Sequence, residues 1–420
     1  MNILKNVYYR YKNSFLFAIS AFIIKGLGAL TLPVFTRLLT KSDYGILSVT
    51  NTVQNFSTAT SRLGIQQSVL KQYEEYGDKE RSQYLFSTIL FSFIWSLFLL
   101  VIFVVINQFL GNNLFKGVEF FPYLFLALLT SSFSTSYAIF QSYLRILNIA
   151  KKFIALASIN IILNILLSII LITQFNLGVY GKLLGGVIPY FLIFIYIITK
   201  TNAKFKLKYW LSAIKFGSPL AMSSIILSIV MMYTISLLTS CASLNELGLY
   251  NIGRNLGLLI PDFVFQSIIL TYQPFIYRNL RENNISEIIR QNTFIIMGLF
   301  IIILLAGLFG KLIILIFTTK KYLGALMLMR LFMLSYIFKI IYFYPMLHLF
   351  YDNKTLLFTK IEIFSTIIFL VLVRFFIILF SIEGVALALI CQEFIKAILL
   401  IYYSKLQMKQ IFSIKALKSR

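Results

Sequence analysis

Residues 82–107 read SQYLFSTILFSFIWSLFLLVIFVVIN, 26 consecutive positions without an acidic or basic side chain. About 20 apolar residues rising 1.5 Å each cross the roughly 30 Å of hydrocarbon in a bilayer. The stretch therefore reads as a spanning helix. A barrel strand would be shorter and would alternate polar with apolar positions, whereas this run is apolar on every side. Phe153–Gln174 repeats the pattern, and Phe294–Leu315 is also long enough to span. The whole chain agrees: of its 420 residues 59% are hydrophobic and only 12% charged, with a mean hydropathy of +0.87. A water-soluble domain of this length does not carry that balance. The sequence predicts an all-α polytopic membrane protein of about twelve spans, near residues 13–38, 44–67, 83–107, 119–146, 153–174, 178–199, 211–239, 247–275, 291–315, 323–350, 356–380 and 384–404.

A net charge of +24 invites a nucleic-acid reading, but the Lys and Arg residues gather at the ends of apolar runs and not in one domain. The positive-inside rule accounts for them better. An even number of spans puts both termini on one side. That side collects Lys5, Arg10, Lys12, Arg145, Lys151, Lys152, Lys200, Lys204, Lys206, Lys208, Arg278, Arg281, Arg290 and the tail Lys405, Lys409, Lys415, Lys418 and Arg420, so it is expected to be cytoplasmic. Lys311, Lys320 and Lys321 form the one opposing cluster. No cleavable signal pattern precedes the first span, and no soluble domain is inserted, the longest hydrophilic stretch being about Lys71 to Arg81. Cys241 and Cys391 lie in unrelated settings, which argues against a disulfide framework or a cysteine metal site.

The halves echo each other. Leu38-Leu39-Thr40 with Asp43-Tyr44-Gly45-Ile46-Leu47 is matched by Leu237-Leu238-Thr239 with Glu246-Leu247-Gly248-Leu249-Tyr250. Gly178-Val179-Tyr180-Gly181 is likewise matched by Gly384-Val385-Ala386-Leu387, again at an offset of about 200 residues. Six spans per half would give parallel repeats related by an axis along the membrane normal. The expectation is a lobe of spans one to six over residues 1–207 and a lobe of spans seven to twelve over 208–420, ending in a short basic tail, the two facing each other across a cleft.

Catalytic groups are scarce. His348 is the single histidine, with no second histidine or nearby acid to build a metal site or a triad. Gly181-Lys182 and Gly310-Lys311 are followed by Leu and lack the upstream glycine of a phosphate loop, so uphill transport would draw on a proton or sodium gradient or on a partner. Charges inside the apolar runs are more telling, since each costs about 2.5–3.5 kcal/mol at a helix centre. Lys25, Asp262, Lys339 and the pair Glu393 and Lys396 lie deep, whereas Arg62, Arg254, Arg330 and Arg374 are shallower and open to snorkelling. Glu393 and Lys396, three apart on one helix, can also neutralise each other.

Spacing adds a pattern. At 100° per residue, Asn51, Asn55, Thr58, Arg62 and Gln66 fall within about 80° of one another. Asn251, Asn255, Asp262 and Gln266 recur at the same intervals in the second half. Anchoring the halves on Gly45 and Gly248 displaces the two stripes by about one turn, so their equivalence is open. Each stripe is either a wet face or a hydrogen-bonded packing seam. Pro33, Pro219, Pro261 and Pro345 interrupt helices at membrane depth and supply hinges or plain kinks.

A first span ending in Leu32-Pro33-Val34-Phe35-Thr36-Arg37-Leu38-Leu39, followed by Asp43-Tyr44-Gly45-Ile46-Leu47-Ser48, resembles the opening of the bacterial polysaccharide-export flippases. That superfamily also holds the multidrug and toxin exporters and the peptidoglycan-precursor flippases. The resemblance implies a cytoplasmic (inner) membrane protein that moves an undecaprenyl-pyrophosphate-linked oligosaccharide between leaflets by alternating access, for O-antigen or capsule assembly. Its implied partners are that substrate, membrane lipids, a polysaccharide polymerase and a chain-length regulator, with no cofactor and no nucleic acid. Basic residues of spans one, two and eight meet the pyrophosphate in related flippases. By span, Lys25, Arg62 and Arg254 match them, with Lys339 and the amides Asn51, Asn55, Asn251 and Asn255 as further substrate contacts. Asp262, Glu362 and Glu393 are the candidates for binding a coupling ion. The rival readings are a drug or cation exporter of the same fold, a membrane-embedded polymerase or acyltransferase, and a structural scaffold.

Overall fold

The computed structural model describes residues 31–109 and 115–413, apart from the side chains of Gln266, Ser267, Ile269, Leu270 and Thr271. Every regular element among the described residues is helical: residues 31–38, then α1 (Lys41–Arg62), α2 (Ile65–Gln72), α3 (Asp78–Phe109), α4 (Phe125–Ile146), α5 (Ala150–Thr173), α6 (Gly178–Thr201) and α7 (Leu207–Cys241). They are followed by α8 (Leu244–Arg281), α9 (Ile285–Leu308), α10 (Gly310–Phe317), α11 (Leu326–Tyr351), α12 (Thr355–Phe380), α13 (Glu383–Ser404) and α14 (Met408–Ile411). Among the described residues nine helices are long and apolar enough to cross a membrane, which makes the chain a multi-pass α-helical membrane protein. α1 and α8 are long as well and stand outside that set of nine. Most of the first expected span lies outside the described residues.

Two expected spans are broken. The run at 44–67 is interrupted because Leu63 (φ 43°) and Gly64 (φ 71°) adopt left-handed backbone, which cannot propagate a right-handed helix. The run at 291–315 divides at Phe309, between α9 and α10.

Both α1 and α8 open with a capping box. Thr40 and Asp43 exchange backbone-to-side-chain bonds of 2.8 and 3.2 Å, and Ser243 and Glu246 do the same at 2.8 and 3.3 Å. Such reciprocal bonds satisfy amides that a helix start leaves unpaired. Thr40 and Ser243 are 203 residues apart, the offset of Gly45 and Gly248. The two polar stripes are thus displaced from each other when the helix starts are superposed.

The chain divides into two compact units, Met1–Ser240 and Cys241–Arg420. The division falls one helix later than 207/208 because the start of α7 is stitched into the first unit. Tyr209 and Ala213 are buried in a cluster with Tyr84, Leu85, Ile139 and Ile197. The Tyr209 hydroxyl donates to Glu80 Oε1 at 3.0 Å, and the Gly217 backbone lies directly against Gly64. In the second unit, Gly253 and Gly257 bring α8 against Leu328, Met329 and Phe332 of α11, a small-xxx-small seam of the kind membrane helices use. Asn292 Nδ2 donates to the Ile411 carbonyl at 2.6 Å and pins α14 onto α9.

Candidate functional site

The break between α1 and α2 lies beside a cavity of about 530 Å³ in the first unit. α1 contributes Gln54, Asn55, Thr58 and Arg62, and the start of α2 contributes Gln66 and Gln67. Ser134 of α4, Tyr190 of α6, and Ser223 and Ser224 of α7 complete its polar wall. Four members of the stripe Asn51, Asn55, Thr58, Arg62 and Gln66 therefore line the cavity, and Asn51 lies a turn away on an exposed part of α1. The stripe is also partly a seam: Thr58 Oγ1 donates to Ser131 Oγ at 3.1 Å, and Ser131 Oγ donates to Ser57 Oγ at 2.9 Å.

Among the described residues, Arg62 is the only cation in that lining. Its Nε is fully shielded and has no hydrogen-bond partner among the described residues, and Tyr190 of α6 shares the cavity wall with it. A guanidinium without a counter-ion in a polar, low-dielectric cavity favours an anion with several oxygens, because its five donors fit such a group two at a time. The amides and hydroxyls around it match the donors and acceptors of a sugar. Lys25, the other cation expected here, lies outside the described residues.

Sequence reading missed Gln54, Gln67, Ser134, Tyr190, Ser223 and Ser224. Adjacent serines in the apolar α7 were the one legible signal among them. It also passed over Lys182, which it weighed only as a failed phosphate loop. Lys182 Nζ donates to Asn164 Oδ1 at 2.8 Å and Ser168 Oγ at 3.3 Å, and lies 3.9 Å from the Phe35 ring centroid.

The second-unit candidates are dispersed. Asn255 Nδ2 donates to Asn251 Oδ1 at 2.6 Å, one turn apart on α8. Tyr336 donates to Asp262, while Lys339 Nζ lies 4.7 Å from the Tyr336 ring and 5.1 Å from Phe265. Arg254 is half-buried, and the exposed Arg330 donates from Nε to the Gly307 carbonyl at 2.9 Å. Glu362 and Glu393 are brought together by Lys396, whose ammonium lies 3.0 Å from the first and 3.1 Å from the second. Tyr342 donates to the remaining Glu393 oxygen at 2.7 Å. His348 does have an acid beside it, contrary to the sequence reading: Asp352 lies 3.8 Å from its Nδ1, one turn on. Among the described residues no three His, Cys, Asp or Glu side chains are grouped to hold a metal ion.

The sequence family described as polysaccharide biosynthesis protein matches residues 11–280, which hold the whole cavity. The chain belongs to that family. No curated protein matches this polysaccharide biosynthesis family member in sequence. Solved structures match its fold. A lipid II flippase, MurJ, in an inward closed conformation has a TM-score of 0.67 at 18% identity, covering 96% of this chain and 89% of its own. A multidrug resistance MATE family transporter of the MOP superfamily, facing inward, has a TM-score of 0.64 at 15% identity, covering 91% and 95%. The eukaryotic MATE transporter AtDTX14 reaches 0.51 at 15% identity, covering 99% and 98%. At these identities the likeness establishes a shared fold.

Proposed function

We propose that this polysaccharide biosynthesis family member is a flippase that carries an undecaprenyl-pyrophosphate-linked oligosaccharide repeat unit from the inner to the outer leaflet of the bacterial cytoplasmic membrane. The product would feed O-antigen or capsule assembly, with both termini in the cytoplasm. The observation that carries the reading is the first-unit cavity, where one uncompensated guanidinium, Arg62, sits among amides and hydroxyls. A diphosphate needs a charge-assisted partner to leave water, and sugars need many neutral ones. The cavity supplies both in one place, and the polyprenyl chain has no need of it because it stays dissolved in lipid. Alternating exposure of the cavity to the two sides of the membrane completes the cycle. Asp262, Glu362 and Glu393 remain the candidates for binding a coupling proton or sodium ion.

A cation exporter of the same fold fits less well. It would need an acid open to cargo, and Asp262 and Glu393 already hold Tyr336, Tyr342 and Lys396. The deciding experiment is a deletion strain assayed for lipid-linked repeat units on each face of the membrane. Trapping on the cytoplasmic face is expected, reproduced by Arg62→Ala and Lys25→Ala. Normal surface polysaccharide in the deletion strain would rule the flippase out, whereas full activity in both point variants would remove only the cationic site.

A further inference from the structure

The geometry points to the start of α2 as a second half of the anion site: its uncapped Gln66 backbone N–H, together with Arg62, holds the diphosphate of the cargo. The inference rests on the flippase reading and adds a binding element to it. α1 ends at Arg62, Leu63 and Gly64 are both left-handed, and α2 begins at Ile65. A helix start leaves its first N–H groups without intrahelical partners and carries the positive end of the helix dipole. Most helices cover these groups with a Ser, Thr, Asp or Asn side chain. Here the capping position is Gly64, which has no side chain to offer. Its carbonyl takes the Gln67 and Ser68 N–H groups at 3.0 and 3.2 Å, which leaves the Gln66 N–H ahead of the first bond at the cavity wall, whereas Ile65 is fully buried.

Gly64, Gln66 and Gln67 line the cavity, so this uncapped start borders the same space as Arg62. The opposing influence is the carbonyl end of α1, which would repel an anion. Arg62 lies in that last turn, and the Thr60 carbonyl already accepts from Trp95 Nε1 at 3.4 Å. The break is also locked from behind. A Cβ on either Gly64 or Gly217 would collide with the backbone of the other, so α7 has no room for a side chain that could fill the gap. Broken membrane helices that aim a half-helix start at an anionic substrate group are a recurring device.

The sequence contains a single Ile–Gln junction, Ile65–Gln66, so the Gln66 amide can be observed alone in full-length protein carrying carbonyl-labelled isoleucine and nitrogen-labelled glutamine. Inorganic pyrophosphate is the probe. The Gln66 amide resonance is expected to move saturably in the wild type, and to move in Arg62→Ala at a concentration about tenfold higher or more. Gln66→Pro, which removes the donor at a first-turn position that tolerates proline, is expected to weaken binding about tenfold relative to Gln66→Ala. A Gln66 amide that stays fixed while pyrophosphate binds elsewhere, or equal affinities for the proline and alanine variants, would overturn the backbone site. Either result leaves the flippase reading standing, because that reading is judged by repeat-unit trapping in the deletion strain. Failure of the wild type to bind pyrophosphate at all also overturns the inference.

Discussion

Arg62 and Lys396 show two ways in which a cation is tolerated at membrane depth. Arg62 keeps an unpaired donor and a polar cavity in front of it, whereas Lys396 is only 5% exposed and closed between Glu362 and Glu393. Removing one member of a buried ion pair strands the other charge, an effect of about 3–5 kcal/mol. Glu362 is partly open and can rehydrate, but Glu393, 9% exposed, cannot. Lys396→Met should therefore destabilise the protein by about 3 kcal/mol, measured as thermal unfolding in detergent, and adding Glu393→Gln should restore more than half of that. An unchanged midpoint for Lys396→Met would mean that the cluster is not the closed unit its distances indicate. The sequence made this pairing legible because Glu393 and Lys396 are three apart on one helix. Glu362 enters from another helix, and no local spacing announces such a partner. Tyr190 of the cavity was hidden for the same reason: it faces Arg62 across more than a hundred residues of chain.

The helix starts carry their own evidence. Thr40 with Asp43 and Ser243 with Glu246 build the same cap at the head of α1 and of α8. Replacing a capping Ser or Thr by Ala costs about 1 kcal/mol. Thr40→Ala and Ser243→Ala should each lower stability by that amount, and because the caps lie in different units the double variant should show the sum within about 0.5 kcal/mol. Amide exchange at Asp43 and Glu246 reads the effect locally; unchanged protection at both would show that neither box forms in the membrane. The echo was legible in sequence as matching residues flanking a glycine. What the matching left undecided was the register, since one alignment superposes Thr40 on Thr239 and another superposes Gly45 on Gly248. The caps select the second. The break after Arg62 could not be read from apolar content, because hydropathy continues through Leu63 and Ile65 while the backbone changes hand. Each such break turns one expected span into two helices, as at Leu63–Gly64 and at Phe309.

At the scale of the whole chain, orientation follows from parity. On the proposed topology, with the N-terminus in the cytoplasm, the seven expected spans would bring the chain to the outer side at the end of α7, whose last residue is Cys241. The 35 residues of α7 rise about 52 Å at 1.5 Å each, well beyond the roughly 30 Å hydrocarbon core, so its ends project from the membrane. Cys241 is exposed there and outside any disulfide, whereas Cys391 is half-buried in the middle of α13. The unmodified protein thus carries its own reporter. A membrane-impermeant maleimide added to intact spheroplasts should label the wild type and leave Cys241→Ser unlabelled. Arg281→Cys, placed in the Cys241→Ser background at the end of α8, should react only after the membrane is opened, because one further span returns the chain to the cytoplasmic side. Labelling of Cys241 solely from inverted vesicles would reverse the assignment. The cation-rich segments around Lys151, Lys204 and Arg281 would then lie on the outer face, and the positive-inside argument would fail for this chain.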